Sequence, residues 1–460
     1  MDRRAFLKTA AAAGTFVLAT SQSGFAQAVS AGAKPAKVRL ACVGIGNRGA
    51  EVLKAFSDTG EAEIVALCDT DIGAPHTVAS LKAHPAATQF RDFRRMFDRM
   101  AKDIDAVCVC TPDFSHFPIV MLAMSLGKPV YVEKPMGHSF RQMELMMAAE
   151  KRYKVATQMG NQGHSEANYF QFKAWTEAGI IRNVTRITAF MNNPRRWHGK
   201  KFDSFLPGMP VPASLDYDTW LATARQLEYN VGYMNGDWRS WYELGNGALG
   251  DWGAHIFDTA HEFLELGLPV EVDPVKIEGH SPWIFPQAST LVFKFPARGT
   301  KPALELTWYD GQQNLPPLPG NFGTAVVDPN IPPPSKGSID TQRTPPGKVI
   351  YGEGLTFKGG SHATTLQILA DPKGGAPALS LPVVPKTTSN HFLNFLRACQ
   401  GTEKCRSPFS VAGPLCQAMA IGILAQRVNA PLRFDPVSRR ITNHALANEM
   451  LAGVPPRREW

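Results

Sequence analysis

A chain of 460 residues that is 44% hydrophobic and 19% charged can fill two domains and a large core, which excludes a disordered or fibrous protein. Its formal net charge is +8, and no long Lys/Arg block is present, which argues against a nucleic-acid partner. The seven cysteines are an odd count for a disulfide framework and show no zinc-ligand spacing.

Residues 1–28 read as a targeting segment and are set aside from the fold. Asp2-Arg3-Arg4-Ala5-Phe6-Leu7-Lys8 resembles a twin-arginine export signal. Thr9–Thr20 is a mildly apolar run too short to span a bilayer, and Ala26-Gln27-Ala28 fits a small-x-small cleavage site. The expected destination is the periplasm, with no stable membrane anchor. Val29–Pro35 follows as a linker.

From Val38 the chain alternates between short apolar strands (Val38–Val43, Glu63–Cys68, Ala106–Cys110, Val130–Glu133, Val155–Gln158) and helical segments. That alternation predicts an α/β doubly wound parallel sheet, a Rossmann domain over residues 36–156. Gly44-Ile45-Gly46-Asn47-Arg48-Gly49 sits between the first strand and a helical pattern. Gly44 allows the tight turn, Gly46 lets a pyrophosphate approach, and Gly49 lets helix and strand pack closely. The second strand ends at Asp69, twenty residues beyond Gly49. An acid there suits the ribose hydroxyls of NAD and would repel the 2′-phosphate of NADP, so NAD is the expected cofactor. Thr111-Pro112 stops the third strand, and Asp113 is the expected N-cap of the next helix, which contains His116.

Beyond Gly160 the periodicity changes. Period-2 runs at Val184–Phe190, Thr290–Phe295, Ala303–Trp308 and Leu366–Leu369 predict a large, mostly antiparallel open sheet in an α+β domain spanning residues 157–450. Helices are expected near Tyr169–Ala178, Leu249–Leu266, Asn390–Cys399 and Ala412–Val428. The Pro-rich stretch 315–346 is expected to be an irregular insertion. Cys42, Cys68, Cys108 and Cys110 belong to buried strands. Cys399 and Cys405 bracket a short loop and could pair in an oxidising compartment.

Two segments carry chemistry. Glu133-Lys134-Pro135 closes a strand, so Lys134 points from the sheet edge toward the cofactor crevice, where it can bind a substrate hydroxyl and shuttle its proton. Asp251 and His255 lie four apart and share one helix face, the imidazole to take an alcohol's proton and the carboxylate to orient it. His255 and His261 fall on different faces, unlike a zinc-binding pair, so no metal is expected.

In order and spacing, Gly44-Ile-Gly46-Asn-Arg48-Gly49, Thr111-Pro112-Asp-Phe-Ser-His116, Glu133-Lys134-Pro135 and Asp251-x-x-x-His255 resemble the Gfo/Idh/MocA oxidoreductases, over about residues 36–450. Asp218-Thr219-Trp220 and the run Gly160-Asn161-Gln162-Gly163-His164-Ser165 resemble exported bacterial members. The resemblance implies a homodimer or homotetramer formed through the C-terminal sheet. It also implies that Lys134, Asp251 and His255 act where a hydride leaves the carbinol carbon of a sugar or polyol. Arg48 could meet the pyrophosphate, and His164, beside Asn161, could face the sugar or pack under its loop. Trp197 and Arg239 belong to aromatic-rich stretches on which sugar rings would stack. Two other activities stay open. One is that of NAD-dependent glycosidases or epimerases working through a transient 3-keto sugar, from whose pattern the Asp251–His255 segment departs. The other is that of a non-catalytic sugar-binding regulator.

Overall fold

The computed structural model describes residues 37–326, 328–332, 347–370 and 379–457. The expected export segment and residues 333–346 of the Pro-rich stretch lie outside them. Six strands form the first sheet: β1 (Val38–Val43), β2 (Ala62–Cys68), β3 (Thr88–Phe90), β4 (Ala106–Val109), β5 (Val130–Val132) and β6 (Thr157–Met159). Their order is β3-β2-β1-β4-β5-β6 and every neighbouring pair is parallel. Leu40, Ala41, Val107, Val109, Val130 and Val132 are fully buried, as expected where helices cover both faces of a parallel sheet. Helix Arg48–Asp58 turns Val52, Leu53 and Phe56 inward at helical spacing. Helix Phe140–Tyr153 starts where the Ser139 hydroxyl accepts from the Gln142 amide. Chain direction across the sheet reverses between β1 and β4, so a crevice opens at their carboxyl ends. The same edge carries the ends of β5 and β6, at Lys134 and Asn161.

The second sheet has ten strands: β7 (Arg186–Met191), β8 (Glu271–Glu278), β9 (Ala288–Phe295), β10 (Leu304–Asp310), β11 (Ala325–Val326), β12 (Gly347–Tyr351), β13 (Thr356–Gly360), β14 (Gln367–Leu369), β15 (Leu432–Asp435) and β16 (Arg440–Ile441). Their order is β11-β14-β13-β12-β7-β10-β9-β8-β15-β16; only β7 and β10 pair in parallel. On its inner face Ala189, Trp308 and Leu291 stand in one cross-strand row. The helix Phe409–Val428 packs close to this face through Gly422, where a Cβ would come within 2.6 Å of the Phe293 ring. That helix is long and apolar enough to cross a bilayer, but it is 83% buried inside the protein. The outer face carries a row of alternating charge, Arg433, Glu271, Lys294, Glu305 and Arg186, each opposite the next in register.

Four expectations are corrected. The helix expected over Leu249–Leu266 is two segments, Gly247–Ile256 and Asp258–Phe263, with the ladder interrupted at Phe257 although its dihedrals stay helical (φ −77°, ψ −35°). The Pro-rich stretch is not wholly irregular, since β11 lies within it and pairs with Ile368 and Leu369. Asp113 caps no helix: it opens a 3-10 turn, and its carboxylate accepts from Arg239 and Asn246 instead. Cys399 and Cys405 are both free thiols.

Candidate active site

The glycine turn is built by steric exclusion. Gly44 has φ +78°, and a Cβ on it would lie 2.7 Å from the Cys110 carbonyl; one on Gly49 would lie 2.0 Å from the Gly44 oxygen. Helix Arg48–Asp58 can therefore start directly against β1. Gly46 departs from expectation, because its open side is met by the His76 ring, whose Cδ2 would be 2.2 Å from an added Cβ. Asp69 ends β2 as expected, and its carboxylate accepts from the amides of Ile45 (3.0 Å) and Asp71 (3.1 Å). His76 stands 3.8 Å from Asp69, and that carboxylate holds the imidazole above its ordinary pKa. Arg48 does not project freely into the crevice. Its guanidinium is bound to Glu133 (3.2 Å) and Glu51 (2.8 Å).

A cavity of about 520 Å³ opens over this turn, lined by Gly44, Asn47, Asp69 and Thr111, with Glu133, Lys134 and Arg239 also in its wall. The Thr111 hydroxyl is buried beside it without a hydrogen-bond partner among the described residues. A glycine turn at a helix start, an acid at the end of β2 and an unanswered hydroxyl beyond β4 fit a nicotinamide dinucleotide, with the His76 ring beside Gly46. His116, from the Thr111–His116 motif, lies behind the wall. Its ring nitrogens meet the carbonyls of Pro135 (2.9 Å) and Thr111 (2.8 Å), so it braces two loops from the buried side.

Lys134 follows β5, and its Nζ donates to the Asp251 carboxylate (2.5 Å) and the Asp251 carbonyl (3.2 Å). Arg195 donates to the other Asp251 oxygen at 2.5 Å, and Arg239 stands 3.6 Å away while also binding Asp113. Burial alone would raise the Asp251 pKa, but Arg239, Lys134 and Arg195 hold it well below the carboxylate range. One turn on, His255 does not bond to Asp251. Its ring stacks on His362, with centroids 3.8 Å apart and planes at 20°, and its Nδ1 is buried without a hydrogen-bond partner among the described residues. Burial, then His362 and Lys134, hold His255 well below the ordinary imidazole value, so it is neutral. The expected Asp251–His255 couple is thus replaced by Asp251 with three cations and His255 with a second imidazole.

His362 arrives on the loop after β13, with φ +55°. A Cβ on Gly163 would lie 2.5 Å from the His362 carbonyl oxygen, and Asn168 Nδ2 donates to that oxygen at 3.1 Å. The Gly160–Ser165 run therefore seats this loop. His164 itself is packed between Asp258 (2.7 Å) and Glu262 (2.8 Å); burial opposes its charge, yet those carboxylates push its pKa up to about 10. Asn161 Nδ2 donates to the same Asp258 oxygen at 2.7 Å. Trp197 is a core residue whose Nε1 donates to the Pro286 carbonyl (2.9 Å), because an indole buried there needs an acceptor. Of the four expected sugar contacts, only Arg239 lines the cavity. Arg195 and His362 were not anticipated. No local motif marks them, since both reach the site through tertiary pairing.

Residues 38–161 match the model of an oxidoreductase family with an NAD-binding Rossmann fold, and residues 177–294 match that family's C-terminal α/β domain. Together the two matches span more than half of the chain. A glycosyl hydrolase family 109 protein from Shewanella amazonensis is 31% identical over 221 residues, covering 44% of this chain and 48% of that protein. The chain spans about half the length of the curated relatives it matches. The WlbA dehydrogenase of Bordetella pertussis, solved in complex with NADH and UDP-GlcNAcA, superimposes with TM-score 0.56 at 16% identity over 87% of this chain and 99% of that one. The aldose-aldose oxidoreductase of Caulobacter crescentus, complexed with glycerol, gives 0.54 at 16% identity over 86% and 100%. At these identities the two structures share the fold.

Proposed function

The chain belongs to the Gfo/Idh/MocA oxidoreductase family, and from that premise we propose that it transfers a hydride between a carbinol carbon of a sugar or polyol and a tightly held NAD. The observation that carries this reading is the meeting of Lys134, from the end of β5, with Asp251, one helical turn before a neutral His255. Bound in the crevice, the nicotinamide supplies a hydride acceptor. His255, with its unpartnered Nδ1, takes the proton of the substrate hydroxyl. Lys134 directs donors to the Asp251 carboxylate and carbonyl, and its remaining N–H stabilises the incipient alkoxide. Asp251 holds Lys134 and Arg195 in place through its two carboxylate oxygens, and His362 fixes the plane of the His255 ring. Asp69 at the end of β2 supports NAD over NADP in this reading.

The twin-arginine segment extends the proposal. Export in the folded state to the periplasm would carry the cofactor in bound form, so it has to be reset within each cycle. The C-terminal sheet would mediate a homodimer or homotetramer. A second reading is favoured by the glycosyl hydrolase name of the relatives: transient oxidation to a 3-keto sugar, with lysis or epimerisation before the ketone is reduced again. Native mass spectrometry of the purified chain, followed by incubation with sugars and glycosides, tests both. Bound NAD and a product differing by two hydrogens support the first; a released aglycone supports the second. A chain that binds no dinucleotide, or a Lys134→Ala protein that turns over normally, refutes both.

A further inference from the structure

The cavity over the glycine turn has a second wall, and it comes from the other domain. Opposite Asp69 and Thr70 it is formed by Leu215, Thr219, Trp220 and Ala222. This wall is a short capped element: the Asp216 carboxylate accepts from the Thr219 amide (3.1 Å) and hydroxyl (2.8 Å), while the Asp216 amide donates to the Thr70 carbonyl (2.9 Å). Trp220 stands edge-on to Phe114 at 5.1 Å and lies flat on Tyr217 at 5.5 Å. The wall therefore touches the Rossmann domain at both of the loops that border the Asp69 end of the crevice.

Its far side is fastened by a residue 235 positions later in sequence. Arg457 donates from Nε (3.0 Å) and Nη2 (2.8 Å) to the Ala222 carbonyl, from Nη2 to the Asp218 carbonyl (2.8 Å), and from Nη1 to Asp218 Oδ1 (2.5 Å) and Gln226 (2.7 Å). Five N–H groups thus meet acceptors on a single segment, which is the full donor set of a guanidinium. The chain leading to Arg457 is itself stitched to the Rossmann domain, where the Arg141 amide donates to the Leu451 carbonyl (3.0 Å) and Ser139 Oγ to that of Ala452 (3.3 Å). Ala222, at the end of the wall, is held at φ +46°, a conformation an alanine keeps only when its surroundings impose it.

We propose that residues 215–222 form the second side of the adenosine subsite and that Arg457 latches this wall shut, so that the dinucleotide exchanges only when the wall lifts. The inference rests on the reading that the crevice takes NAD. It adds a reason for retention that lies outside the Rossmann motif: the cofactor is gripped by both domains, and the grip is locked by the C-terminal tail.

The test follows exchange of the cofactor and not turnover. In the full chain, NADH would be displaced by excess NAD and its fluorescence followed for the dissociation rate; stopped-flow mixing of NADH with cofactor-stripped protein gives the association rate. Arg457→Ala is expected to raise both rates by about tenfold or more, as removal of a latch on a closing element does. Asp218→Asn, a milder change at an exposed carboxylate, is expected to move both rates the same way by less. Equal rates in wild type and both variants overturn the latch, as does a faster dissociation with an unchanged association rate. Arg457 would then only support a wall. Should Arg457→Ala fail to fold, Asp218→Asn decides alone, on the same two rates. A wild-type chain with no affinity for NADH removes the functional reading along with the latch. Tight binding with unaltered rates in the variants removes the latch only.

Discussion

Two histidines in this molecule are almost wholly buried and reach opposite charge states. His255 is surrounded by cations and a second imidazole and is held neutral; His164 lies between two carboxylates and is held charged. The desolvation penalty has the same sign in both, so neighbours decide the outcome. The partnering carboxylates differ in the same way. Asp251 faces Lys134, Arg195 and Arg239, whereas Asp258 shares one imidazolium with Glu262. The first cluster borders a cavity and leaves His255 Nδ1 unanswered, an arrangement suited to moving protons. The second is closed on itself and suited to joining helix Asp258–Phe263 to the Gly160–Ser165 run. A buried charged cluster near a crevice is thus not in itself a catalytic one.

That contrast can be broken most directly at Lys134. Lys134→Ala is expected to lower kcat by about a thousandfold, the upper range for a lost donor to a developing oxyanion, while bound NAD is retained; steady-state rates beside a cofactor assay check both. His164→Gln should do the reverse. It leaves Asp258 and Glu262 without the imidazolium between them and is expected to cost about 3–5 kcal/mol in denaturant unfolding, with little change in rate per folded molecule. A large loss of rate at unchanged stability would make the His164 cluster catalytic and not structural. His164 also sets a pH dependence. Because its folded pKa of about 10 lies above the ordinary 6.5, its contribution is fully present below 6.5 and fades as pH rises toward 10. Melting curves across that window should decline more steeply for wild type than for His164→Gln.

A smaller effect is expected at His362. His362→Phe keeps a ring against His255 but removes a group that holds its pKa down. The acid limb of the pH–rate profile should move to higher pH, since the base must be deprotonated, with about a tenfold fall in rate. The smallest change is Trp197→Phe, which loses the bond to the Pro286 carbonyl and should cost about 1 kcal/mol in unfolding with no effect on turnover.

The parallel sheet was legible because β1, β2, β4 and β5 are apolar over most of their length and are followed by glycine or proline or by an acid; β3, with Thr88 and Gln89 exposed, is too short and polar to show. The second sheet was legible only where one face is apolar. In β8, charged residues and Pro274 hide the strand, and in β13 Gly359-Gly360 does so; both become regular through register with neighbours. The glycine turn, Asp69, Lys134 and Asp251 could be read from their places at strand and helix ends. Arg195 and His362 could not, because nothing local distinguishes them from surface residues. The pairing of Asp251 with His255 was misjudged for a related reason: sharing a helix face does not decide which neighbour a carboxylate turns toward when three cations are within reach.

The seat that Gly163 makes for the His362 carbonyl has a consequence for recombination between homologous chains. The loop after β13 and the run after β6 are separated by some two hundred positions in sequence, yet they fit at a van der Waals limit. A chimera that takes its first half from one parent and its second from another would place a foreign hairpin on that glycine. Crossovers should therefore be tolerated only where residues 160–168 and 361–363 come from the same parent, whatever the similarity of the sequence between them.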